Sequence, residues 1–210
     1  MTSTSTPEQE RRDRTFGNLR IALLWVVGTG LVVLGCIGRP SPLGWGIGLV
    51  VAGLGVAVRS WAAGYLIKSK ALITGGPYAY VRNPLYLGRV LIGTGMGIAV
   101  QLPAASFIPA WPLPNVAAIA AFYVFFFGWY MPRKERVEPA RLREYHGEAY
   151  TRYQQAVGSI VPNFFRRYDQ RNGSWGWAQY HRLKEYNWVV GYAMVFALLG
   201  LRAFGVINFN

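Results

Sequence analysis

Long apolar runs alternate with short polar or proline-rich segments along most of this 210-residue chain. A helix needs about 20 mostly apolar residues to cross the hydrocarbon core of a bilayer, so runs of this length predict membrane spans. The pattern therefore predicts an all-α polytopic membrane protein with about five transmembrane helices. The runs cover residues 19–37, 43–58, 85–102, 113–131 and 189–204.

Breaker residues mark the connections between these runs. The sequence Arg39-Pro40-Ser41-Pro42 separates the first two runs and predicts a hairpin there. Prolines at positions 103, 109, 112 and 114, with no charged residue among them, separate the third run from the fourth. The second run is short by itself, and we expect it to extend to Tyr65. Arg59 would then face protein or reach the membrane interface.

The basic residues predict the orientation of these spans. With the amino terminus in the cytoplasm, every lysine and arginine except Arg39 and Arg202 falls on the cytoplasmic side, as positively charged loops prefer. This placement accounts for the net charge of +13. No zinc-finger spacing, RNP-like sequence or recognition-helix pattern accompanies the charge, so we do not expect nucleic-acid binding.

Composition agrees with a membrane protein and excludes several chemistries. The chain is 52% hydrophobic, with a mean hydropathy of +0.20. Residues 1–18 are expected to form a disordered cytoplasmic tail ahead of one integral membrane domain over residues 19–210. Cys36, His146 and His181 are too few for an ordinary zinc cage, so no metal is expected. No glycine-rich Rossmann motif follows a soluble strand.

The most informative segment runs from residue 74 to residue 88. Its sequence Gly75-Gly76-Pro77 permits a tight turn, and Pro84 suits the first turn of the apolar helix that follows. Arg82 can pair with a carboxylate, and Asn83 can both donate and accept hydrogen bonds. Tyr78, Tyr80 and Tyr86 offer ring faces to a cation or an adenine. The segment predicts a pocket wall at the membrane surface.

A second block follows at residues 138–162. It reads Glu138-Pro139-Ala140-Arg141-Leu142, then His146 to Tyr153, and ends near Val161-Pro162. We expect residues 135–157 to form a helix over the cytoplasmic mouth, and we expect Tyr150 and Tyr153 to pack this helix. Residues 164–186, rich in tryptophan, tyrosine and arginine, are expected to form an interfacial segment.

Together the two blocks resemble the isoprenylcysteine carboxyl methyltransferase family and its relatives among phospholipid methyltransferases. The family signature is glycine-proline-tyrosine followed by arginine-histidine-proline-any-tyrosine. Asn83 stands where the family has histidine, and Pro139 replaces the second acid of a glutamate pair. Over residues 70–165 the resemblance implies a cytoplasmic helical region that binds S-adenosyl-L-methionine. It also implies methyl transfer to a lipid-like or apolar acceptor through a carboxyl, amine or thiol group.

The resemblance also implies a set of site residues. We expect catalytic roles for Arg82 and for Lys134, which stands where the family has an arginine near the acceptor. The sulfonium, ammonium, carboxylate and adenine of the cofactor suit acidic, basic and aromatic neighbours. The expected cofactor contacts are Lys70, Ala71, Leu72, Ile73, Tyr78, Asn83, Pro84, Tyr86 and Glu138.

Three other interpretations remain open from the sequence. Membrane sterol and enone reductases, which use NADPH, have a similar histidine-proline-tyrosine element. A non-catalytic binding or scaffold protein would tolerate the changes at Asn83 and Pro139. Arg82 and Glu138 would also suit a juxtamembrane ion pair that only fixes a loop. The expected partners are the bilayer and a lipophilic or lipidated acceptor, and the sequence gives no oligomeric state.

Overall fold

The computed structural model describes residues 40–67, 71–100, 113–165, 168–169 and 171–207, and within these ranges it contains helices and no strands. The predicted all-α class is therefore confirmed. The predicted tail at residues 1–18 and the first predicted span lie outside the described residues. The helices are α1 (Pro42–Tyr65), α2 (Pro84–Ala99), α3 (Leu113–Phe125), α4 (Met131–Ala156), α5 (Trp177–Arg182) and α6 (Tyr186–Ala203). A 3₁₀ turn (Gly76–Ala79) precedes α2, and a π-helical segment (Phe126–Tyr130) joins α3 to α4.

Three helices among the described residues are long and apolar enough to cross a membrane. They are α1, the continuous helix Leu113–Ala156 and α6. At 1.5 Å per residue the 16 residues of α2 span about 24 Å, less than the hydrocarbon thickness of about 30 Å. The chain is thus a membrane protein with several spans, and the predicted count of five stays a prediction.

Helix α1 begins and ends close to where the sequence predicts. The Ser41 hydroxyl accepts a hydrogen bond from the Gly44 backbone N–H at 3.1 Å, and Pro42 occupies the first turn, where a missing N–H costs nothing. The helix continues to Tyr65, as expected. Arg59 is 2% exposed and faces protein.

Helices α1 and α2 pack through glycine. A Cβ atom at Gly48 would lie 2.4 Å from the Gly95 carbonyl oxygen, and one at Gly95 would lie 2.5 Å from the Ala52 nitrogen. Larger residues at these positions would force the backbones apart, which is the physical basis of close small-residue packing between helices in lipid. This contact holds the carboxyl-terminal half of α2 against α1.

Helices α3 and α4 form one continuous element, whereas the sequence predicts a span and a separate cytoplasmic helix. The π-helical segment ends at Tyr130, two residues before Pro132, whose ring would clash with the carbonyl four residues earlier in a regular helix. The wider turn accommodates this proline without ending the helix. Farther along, Gly147 has φ of +53° and breaks the helical path. Arg143 donates to the Gln154 side chain across this break at 2.8 Å.

Helix α6 packs against α1 and the end of α2. Phe196 and Leu199 are buried in a cluster with Ala52 and Ala99. The Trp45 indole N–H donates to the Phe196 carbonyl at 2.8 Å. The carboxyl-terminal part of the chain is therefore integrated with the helices that carry the first sequence block.

Candidate functional site

After α4 the chain turns back and runs antiparallel to the segment that contains the 3₁₀ turn. We call residues 158–176 the strap. Its early part pairs with the residues just before α2, so the two sequence blocks meet along their backbones. Four hydrogen bonds of 2.8–3.1 Å join Arg82 N–H to Gly158 O, Asn83 N–H to Ser159 O, Asn163 N–H to Tyr80 O, and Tyr168 N–H to Ala79 O.

The later part of the strap covers the residues before the turn. Asn172 accepts a hydrogen bond from the Thr74 backbone N–H at 2.9 Å and donates through its side-chain amide to the Leu72 carbonyl at 2.6 Å. Ile73 is buried and packs with Tyr78, whereas Ala71 is exposed. These three predicted cofactor residues, at positions 71–73, therefore lie beside the strap. Lys70 lies outside the described residues.

The 3₁₀ turn buries Tyr78. Gly76 has φ of +58°, and a Cβ atom there would lie 2.5 Å from the Tyr65 ring, so this turn requires glycine. The Tyr78 side chain is 7% exposed, and its hydroxyl has no hydrogen-bond partner among the described residues. Burial raises the pKa of this phenol, and the negative charge of Glu185 acts in the same direction.

Glu135 organises the residues immediately before α2. The Asn83 amide donates to Glu135 at 2.9 Å and to the Ser159 hydroxyl at 3.0 Å, and the Ser159 hydroxyl in turn donates to Glu135. The Arg82 guanidinium lies 3.5 Å from Glu135 and donates through Nε to the Val157 carbonyl at 2.9 Å. Arg82, which the sequence predicts to be catalytic, thus contacts two protein groups, the Glu135 carboxylate and the Val157 carbonyl.

Glu138 forms a second cluster one turn farther along α4. The Tyr86 hydroxyl donates to Glu138 Oε1 at 3.1 Å, and Lys134 Nζ lies 3.0 Å from the same oxygen. The Tyr86 ring packs edge-on against Tyr130 with centroids 5.7 Å apart. Glu138 Oε2 receives no hydrogen bond from the described residues, and the side chain is 42% exposed. One carboxylate oxygen is therefore accessible to a ligand.

The structure thus brings most of the predicted site residues to the first turn of α2. Pro84 is fully buried in that turn. Tyr78 packs in a separate cluster with Ala62 and Ile73. The residues that meet at the first turn are Arg82, Asn83, Pro84, Tyr86, Lys134 and Glu138.

A buried ion pair near the same turn was not predicted. Arg59 donates through two nitrogens to the carboxylate of Glu185 at 2.6 and 3.1 Å, and through the third to the Leu85 carbonyl at 3.1 Å. Its guanidinium also stacks 4.2 Å from the Trp188 ring centroid. An arginine within a membrane span requires a partner for its charge. This requirement is the sequence signal that could have pointed to Glu185. Glu135 had a similar signal, since it lies one helical turn from Glu138.

Residues 44–131 match the family model of the phospholipid methyltransferases. No curated protein matches the chain. The matched residues contain most of α1, the 3₁₀ turn, α2 and α3, and they end before Glu138 and the strap. The match confirms the resemblance to membrane methyltransferases that the two sequence blocks indicated.

Proposed function

We propose that this membrane protein is a methyltransferase that uses S-adenosyl-L-methionine to methylate a lipid-like or apolar acceptor. The observation that carries the proposal is the meeting of Tyr86 and Glu138, which are 52 residues apart in the sequence, at one half-exposed carboxylate. Charged and aromatic groups that converge on an accessible carboxylate suit a zwitterionic cofactor with a cationic sulfur.

The residues fit the chemical groups of the cofactor. Glu138 Oε2 can accept a hydrogen bond from an ammonium or a ribose hydroxyl. The unpartnered Tyr78 hydroxyl is a buried group that can still donate or accept, and leaving it unsatisfied would cost about 1–3 kcal/mol. The apolar side chains at positions 71–73 suit an adenine. Lys70 completes the expected set.

The protein's own contribution to methyl transfer would be the alignment of cofactor and acceptor. The cofactor supplies a methyl group that is already attached to a good leaving group. Arg82 and Asn83 are held by Glu135, so the entrance to α2 is fixed before a substrate arrives. Lys134 places a cation beside the carboxylate cluster, which suits an acceptor with a negative charge. A carboxylate or thiolate acceptor would need no general base.

We place the site and the amino terminus on the cytoplasmic side. The distribution of lysine and arginine supports this orientation. Within one membrane domain of residues 19–210, the cofactor region would cover residues 70–165. The acceptor would approach from the bilayer, since lipid-like molecules partition there.

Binding calorimetry on the detergent-purified chain tests the proposal. We expect binding of S-adenosylmethionine and S-adenosylhomocysteine but not NADPH. Both Glu138→Ala and Tyr86→Ala should weaken binding, and Glu138→Ala by about tenfold to a hundredfold, as for a lost hydrogen bond to a charged group. Glu144→Ala removes an exposed carboxylate from the same helix and should bind normally. Binding of NADPH alone, or equal affinity in all variants, would contradict the proposal.

A further inference from the structure

One face of α1 is a continuous exposed apolar stripe. Its residues recur every three or four positions, the spacing of a single helix face. The stripe ends at Trp61, and tryptophan at the end of a span is typical of the membrane interface. Since α1 is long and apolar enough to span a bilayer, this stripe is its lipid-facing side. Its members are Leu43, Ile47, Val50, Leu54, Ala57 and Trp61.

An aromatic chain continues this surface onto the strap. The Trp61 and Tyr80 ring centroids are 6.5 Å apart, and those of Tyr80 and Phe164 are 6.0 Å apart. Tyr80 lies directly after the 3₁₀ turn, so the chain passes beside the candidate site. The lipid-facing surface of the span therefore extends to Phe164.

The strap exposes three large apolar side chains at this point. Val161 is 79% exposed, Phe164 is 74% exposed and Phe165 is fully exposed. We call these three residues the apolar tip. The backbone of the tip is anchored, because Asn163 N–H donates to the Tyr80 carbonyl at 3.0 Å and Phe165 N–H donates to the Asn163 side chain at 3.1 Å. These bonds hold the tip in its outward position.

We propose that the apolar tip inserts into the interfacial region of the leaflet at which α1 ends. A cluster of exposed phenylalanine and valine in water is unfavourable, and its continuity with the lipid-facing stripe selects lipid as the partner. The strap begins at Gly158 and Ser159, which accept backbone hydrogen bonds from Arg82 and Asn83. The tip therefore lies along the path between the bilayer and the first turn of α2.

Site-specific fluorescence in liposomes tests this inference without reference to methyl transfer. Phe165→Cys is made in the full chain with Cys36→Ser, labelled with an environment-sensitive nitrobenzoxadiazole dye and reconstituted into phosphatidylcholine and phosphatidylglycerol. Lipids with a nitroxide near the head or the middle of the acyl chain act as quenchers. Val161→Cys provides a second tip position, and Glu148→Cys provides an exposed polar control. Circular dichroism and thermal unfolding check that each variant is folded.

The proposal expects a blue-shifted emission at both tip positions relative to Glu148→Cys. It also expects stronger quenching by the nitroxide near the lipid head than by the one in mid-chain, as for a shallow insertion. Emission and quenching equal to those of Glu148→Cys would place the tip in water and overturn the proposal. A blue shift without quenching would show that protein covers the tip, which would overturn it equally.

Discussion

Among the described residues, three ion pairs lie near the first turn of α2, and the two that differ most in their exposure to solvent are Arg59–Glu185 and Lys134–Glu138. The side chains of Arg59 and Glu185 are 3% and 7% exposed, whereas those of Lys134 and Glu138 are 40% and 42% exposed. A buried pair must satisfy all of its charged groups, because an unpaired charge in the interior is costly. A half-exposed pair exchanges easily with water, so a ligand can compete for it.

The two pairs act on consecutive residues of α2. Arg59 donates to the carbonyl of Leu85, and Glu138 accepts from the hydroxyl of Tyr86. One pair therefore fixes the backbone of the turn, while the other leaves a carboxylate oxygen available beside it. The rigid support of the candidate site and its proposed ligand-binding surface are therefore separate groups, although they meet within one helical turn.

Removing one member of the buried pair should have the largest effect. Glu185→Ala leaves Arg59 charged and without its carboxylate, so we expect a loss of about 3–5 kcal/mol in the free energy of unfolding. Chemical unfolding of the detergent-purified protein, followed by circular dichroism, measures this loss. The double variant Arg59→Met with Glu185→Leu removes both charges and should recover most of it. Equal stability of Glu185→Ala and the parent chain would contradict the difference drawn between the buried and the half-exposed ion pair.

Neutralising the exposed carboxylate should affect ligand binding more than stability. We expect Glu138→Gln to weaken binding of S-adenosylmethionine by about 1.5–3 kcal/mol, the range for a hydrogen bond to a charged group. The free energy of unfolding should change by less than about 1 kcal/mol, because the pair with Lys134 is half-exposed. Calorimetry and chemical unfolding on the same preparation separate the two effects. Destabilisation as large as that of Glu185→Ala would show that Glu138 supports the fold instead.

The sequence predicted those parts of the fold that depend on local signals. Helix α1 could be predicted through to Tyr65, because apolar length, prolines and charge are all read from neighbouring residues. For Arg59 the sequence left two positions open, toward protein or at the interface, and the structure has the first. The continuity of α3 with α4 could not be predicted from local signals. It depends on a π-helical segment before Pro132, and prolines ordinarily indicate a helix boundary.

Residues of the candidate site could be predicted where they belong to one of the two family motifs. Tyr86 and Glu138 came from the two blocks of the family resemblance, and they meet in the structure. Glu135 and Glu185 belong to no motif, and their partners are 52 and 126 residues away. No spacing rule connects residues that are so distant, since only the packing of helices brings them together. The same reason explains why the pairing of Asn172 with Thr74 was not foreseen.

Removing the Tyr86 hydroxyl should weaken cofactor binding less than the change at Glu138 does. Tyr86→Phe preserves the ring contact with Tyr130 but loses the hydrogen bond to Glu138. Because water can replace that hydroxyl, we expect a loss of about 0.5–1.5 kcal/mol in cofactor binding. Calorimetry measures it, with Tyr145→Phe, at an exposed tyrosine of α4, as a control. A loss as large as that of Glu138→Gln would mean that the hydroxyl itself contacts the cofactor.

The smallest change in stability should come from substitution of Lys134. Variants of this residue distinguish a role in a surface ion pair from a role in catalysis. Lys134→Ala breaks only an exposed contact between residues four apart in a helix, which contributes about 0.2–1 kcal/mol to the free energy of unfolding and less at high salt. If Lys134 also positions the acceptor, turnover of the acceptor should fall while affinity for S-adenosylmethionine hardly changes. Lys134→Arg keeps the positive charge and should retain turnover. Unchanged turnover in Lys134→Ala would leave Lys134 with the ion pair alone, and the acceptor would then need another cation.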